Sequence, residues 1–97
     1  MVLGNLQVMA HIVKRKGHTE SFDERKVYAS VFAACMNTRM LDQQAELIAN
    51  KVTEEIKRWI EAQNEVTSEQ IFIKVVEELQ VLNKEAAFMY KTHRDIS

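Results

Sequence analysis

Across residues 41–63, LDQQAELIANKVTEEIKRWIEAQ, apolar side chains at Ala45, Ile48, Ala49, Val52, Ile56, Trp59 and Ile60 recur at intervals of three and four. At 3.6 residues per turn they form one stripe, and the charged residues form the opposite face. This is the longest and clearest helix in the chain. A helix with one apolar stripe is stable only when that stripe is covered, so the other segments are read for what they can pack against it.

Three further helices are expected. SFDERKVYASVFAACMN starts either with Ser21 three residues before Glu24, a capping-box spacing, or with Asp23 as the cap. Val27, Val31, Ala34 and Cys35 fall on one of its faces, with Tyr28 and Phe32 beside them. Thr67, with Gln70 at the capping-box position, opens a helix carrying Ile71, Phe72, Val75, Val76 and Leu79. Asn83 opens the last, with Ala86, Ala87, Phe88 and Tyr90 available for packing. HIVKR and HTESF read as two short strands around Lys16-Gly17, where glycine supplies the positive φ of a tight turn. NEVT adds a third short strand. The class is α+β: a four-helix bundle capped by a small three-stranded β-sheet. With 97 residues, no proline, no low-complexity tract and no fixed-period repeat, residues 11–97 are read as one domain and residues 1–10 as an N-terminal extension.

Little here supports catalysis. His11, His18 and His93 lack the spacing of a helix-borne metal pair, and Glu54/Glu55 and Glu77/Glu78 belong to solvated helix faces. The two glycines, Gly4 and Gly17, are too far apart for a phosphate-binding glycine loop. Cys35 is the only cysteine and lies in the apolar run VFAACM, so it reads as a buried small hydrophobe, and no internal disulfide or thiolate cage is available. No segment approaches the roughly 18 apolar residues of a membrane span, and a cytoplasmic, non-enzymatic protein is expected.

The charge distribution is more informative than the net charge of −1. Lys14, Arg15, Lys16, Arg25 and Lys26 cluster about one turn and the helix that follows, opposed only by Glu20, Asp23 and Glu24. Such a tip can simply be solvated. It can also contact nucleic acid, but the chain has no second basic surface, and three or four phosphate contacts give weak, salt-sensitive binding. A single nucleotide fits better: Lys14, Arg15 and Lys26 converge on a triphosphate, aided by the free N–H groups at a helix start. Glu20 would repel phosphate, and makes sense if it accepts a hydrogen bond from an amino group such as that of adenine.

The same residues resemble the opening of the ATP-cone domain, the regulatory module of many ribonucleotide reductases and of their transcriptional repressor. The matching features are Val13, Lys14-Arg15, Gly17, Glu20, Phe22-Asp23 and Lys26-Val27, followed by AELIANKV, VTSEQI and EAAFMYKTHR. The resemblance covers roughly residues 11–95. It implies ATP or dATP as effector ligands, with or without Mg, and no catalytic cofactor. Carried over, Lys14, Arg15 and Lys26 hold phosphates, Glu20 reads adenine, and the Val13 backbone lines the base pocket. Thr67 and Ser68 are further candidates near the ligand, as are Lys91 and Arg94. It also implies homo-oligomers whose association responds to the nucleotide, and a ribonucleotide reductase subunit as a partner. Lys16 departs from the aspartate or asparagine usual before the glycine, and the paired cysteines of the repressor's zinc ribbon are lacking. The chain is then either a free-standing cone or a domain of a larger protein. A small DNA-binding or co-repressor protein, and a degenerate cone serving as a scaffold, are the alternatives.

Overall fold

Three of the four helices begin where a side-chain acceptor takes up one of their first N–H groups. The computed structural model describes residues 11–13 and 19–96, with side chains over 22–93. Asp23 caps α1 (Glu24–Met36): its carboxylate accepts from the Arg25 N–H at 3.0 Å, which decides between the two starts open in the sequence. Leu41 precedes α2 (Asp42–Glu61) and has no polar side chain, so Gln44 Oε1 reaches back to the Leu41 N–H at 3.4 Å. Thr67 caps α3 (Ser68–Leu82), and Asn83 is the single residue between α3 and α4 (Lys84–Ile96). Asn83 serves both helices, because its N–H donates to Leu79 O while its Oδ1 accepts from the Ala86 N–H.

Helix α1 packs on α2 and α4, and α3 packs on the same two, so the four close into a bundle. The α2 stripe supplies the centre, with Ala45, Ala49, Val52, Ile56 and Ile60 fully buried against Val31, Cys35, Val75 and Leu79. Alanines at 45, 49, 86 and 87 are all buried, and small side chains at a helix contact let the axes approach. Tyr28 and Phe32 flank this core, half-buried, with their rings stacked at 6.1 Å.

Strands β1 (His11–Val13), β2 (Thr19–Ser21) and β3 (Glu65–Thr67) form one sheet in the order β2-β1-β3. The β1–β2 pair is antiparallel, as a hairpin requires, and β3 runs parallel to β1 on its other edge. Val66 is buried, which docks the sheet onto the helical core, and β3 runs directly into α3. The turn around Gly17 and the extension at residues 1–10 lie outside the described residues.

Candidate functional site

The sheet register assembles residues that are far apart in sequence. Val13 is opposite Thr19 on one side and Thr67 on the other, while Ile12 is opposite Glu20 and Val66. Neighbouring strands lie about 4.8 Å apart, so Glu20 and Thr67 are both within roughly two strand spacings of each other across the three-stranded sheet. The backbone of Val13 and the positions of Glu20, Thr67 and Ser68 therefore share one small region. Lys14 and Arg15 follow Val13 in sequence and lie outside the described residues.

Thr67 and Gln70 close a reciprocal pair of hydrogen bonds that fixes the start of α3 at this edge. Lys26 is exposed in the first turn of α1; its N–H donates to Asp23 O at 3.1 Å, and its carbonyl accepts from Ser30 Oγ at 2.7 Å. Lys91 is exposed on α4. Arg94 belongs to the same helix.

Two carboxylates accompany Lys26, and each has a cation. The Arg25 guanidinium holds the Asp23 carboxyl below its usual range, with Nε 3.3 Å from Oδ1. Lys57 of α2 places Nζ 3.2 Å from Glu24 Oε1 and 3.4 Å from Glu54 Oε2, and the hydrogen bond to Glu24 is the main reason its ammonium is held above its ordinary pKa.

A feature the sequence reading did not identify is a slot of about 420 Å³ between α1, α3 and α4. Ser30 and Ala33 line it from α1, Asn37 from the C-cap of that helix, Phe72 from α3, and Tyr90 and His93 from α4. The Phe72 and Tyr90 rings that border it are stacked on one another, 5.4 Å between centroids. Residues 26, 30, 33 and 37 are separated by steps of four, three and four, so Lys26 heads the same face of α1 that lines the slot. His93, which lacks the spacing of a metal pair, is exposed at the rim of this slot. The i, i+4, i+7, i+11 run of Lys, Ser, Ala and Asn on α1 is the sequence signal that could have revealed it.

Sheet and bundle together make a small α+β module, and the family it matches makes it a nucleotide-binding regulatory one. The chain belongs to the ATP cone domain family, whose pattern it matches over residues 10–96. Among curated proteins it is similar to the transcriptional repressor NrdR of Synechococcus sp. (strain JA-2-3B'a(2-13)), at 36% identity over 77% of this chain and 41% of that protein. It is also similar to the transcriptional repressor NrdR of Petrotoga mobilis, at 29% identity over 93% of this chain and 61% of that protein. The chain thus spans about half the length of the curated relatives it matches.

Proposed function

We propose that this chain is an allosteric module that binds ATP or dATP and thereby controls the association or activity of a ribonucleotide reductase or a related system. The observation that carries the reading is the register that gathers Val13, Glu20 and Thr67 at the sheet, with Ser68 opening α3 beside Thr67 and Lys26 in the first turn of α1. Lys14, Arg15 and Lys26 supply the phosphate charge, and charge-assisted hydrogen bonds at roughly 1.5–3 kcal/mol each bring three of them, with some stacking, to about micromolar affinity. Glu20 accepts from the adenine amino group, which guanine does not offer at that position.

The slot on the face of α1 that Lys26 heads gives a second place for the base, against the stacked Phe72–Tyr90 pair. Glu20→Gln and Tyr90→Ala separate the two. With the base at β2, Glu20→Gln reduces the preference for ATP over GTP and Tyr90→Ala leaves it intact. Loss of ATP affinity in Tyr90→Ala alone would move the base to the slot and remove Glu20 from its assigned role. Steeply salt-dependent binding to duplex DNA, together with indifference to ATP, would favour the DNA-binding alternative instead.

Regulation requires that the nucleotide prefer one assembly state. A tenfold preference is worth about 1.4 kcal/mol and shifts the populations by that factor and no more.

A further inference from the structure

We infer that Lys57 is a positioning residue that sets the phosphate affinity of the site by covering the Glu24 carboxylate; this rests on reading the α1 start as a phosphate site. The first turn of α1 carries Glu24 two positions before Lys26, so a polyphosphate held by Lys26 lies on the order of 10 Å from that carboxylate. An uncovered Glu24 would repel it. The covering cation comes from a different helix: Lys57 Nζ is 3.2 Å from Glu24 Oε1, and its side chain is partly buried, at 27% exposed. Pairs such as Lys74 with Glu78 run along one helix face, whereas Lys57–Glu24 joins α2 to α1 at the turn that carries Lys26. Asp23, the other carboxylate there, is already covered by Arg25 from its own turn.

The role is electrostatic, so its signature is dependence on ligand charge. One unit charge at about 10 Å from a triphosphate, in a medium between protein surface and water and partly screened by salt, changes Kd by roughly threefold to tenfold. A purely structural tie between α1 and α2 would weaken every ligand alike.

The test is titration of ATP, ADP and AMP into the full chain as wild type, Lys57→Met, Lys57→Arg, Glu24→Gln and the Glu24→Gln/Lys57→Met double variant, with a thermal melt of each. Lys57→Met is expected to weaken ATP roughly threefold to tenfold, ADP less and AMP least. Lys57→Arg is expected to restore binding, Glu24→Gln to tighten ATP, and the double variant to return near wild type. Equal losses for all three ligands, or a double variant as weak as Lys57→Met, would overturn the inference. Should Lys57→Met fail to fold, Glu24→Gln alone decides: no tightening of ATP overturns it. Wild type that takes up no ATP overturns the phosphate-site reading itself, which is distinguishable from wild type that binds while the variants bind equally well.

Discussion

Thr67 and Gln70 hold each other at the start of α3: the Gln70 N–H donates to Thr67 Oγ1 at 3.0 Å, and the Thr67 N–H donates to Gln70 Oε1 at 2.9 Å. Because Thr67 is also the last residue of β3, this pair sets where the sheet stops and the helix begins. Thr67→Ala removes the cap acceptor and is expected to lower stability by about 1 kcal/mol in urea unfolding, while Thr67→Ser keeps most of it. Unchanged stability in Thr67→Ala would contradict this role.

That cap was legible in the sequence because a capping box is local: two residues three apart carry the whole signal. The α2 stripe was legible for the same reason: Ala45, Ala49, Val52, Ile56 and Ile60 are buried, Ile48 and Trp59 are partly buried, and Thr53, outside the stripe, is buried as well. The pairing of β3 with β1 was not. A strand of three residues has too few alternations to reveal its neighbour, so EVT showed a strand but neither its parallel sense nor its place beside β1. The slot was missed because its walls come from three helices, and small residues such as Ser30 and Ala33 have no local signature of a cavity. The Lys57–Glu24 pair joins α1 to α2, and no rule of spacing predicts it.

Thr53 is buried in α2, and among the described residues its Oγ1 is enclosed without a hydrogen-bond partner. A hydroxyl desolvated in this way costs about 1–3 kcal/mol relative to a satisfied one. Thr53→Val keeps the shape and removes the orphan, so it is expected to raise stability by about 1 kcal/mol in chemical denaturation. A loss of stability would show that the hydroxyl has a partner.

Cys35 is fully buried, and burial pushes its thiol above the ordinary value. The native chain is expected to resist thiol reagents at neutral pH and to react once unfolded in denaturant. The sign of the pH effect follows from linkage. Above the unfolded thiol's pKa of about 8.5 the unfolded state has lost a proton that the folded state retains, so stability falls as pH rises through that region and is unaffected below it. Cys35→Ala removes this part of the alkaline slope. Rapid labelling of the folded chain, at a rate independent of denaturant, would contradict the burial.

Trp59 is half-buried beside Ile73, which is 48% exposed, with the Lys74 ammonium 6.0 Å from the indole ring. A surface of this kind, shared by α2 and α3, suits self-association, and sedimentation with no nucleotide, with ATP and with dATP is expected to give different size distributions. One unchanged monomeric species under all three conditions would refute the coupling of nucleotide to assembly.

Calorimetric titration of ATP, dATP, GTP and AMP into wild type and Lys26→Met tests most directly the claim that basic residues about the β1–β2 turn and the α1 start hold one adenine nucleotide. Wild type is expected to bind ATP and dATP at about micromolar Kd, and GTP and AMP more weakly, with Lys26→Met weakening ATP by roughly tenfold to a hundredfold. No heat of binding from either adenine triphosphate, or superimposable ATP isotherms for wild type and Lys26→Met, would contradict it.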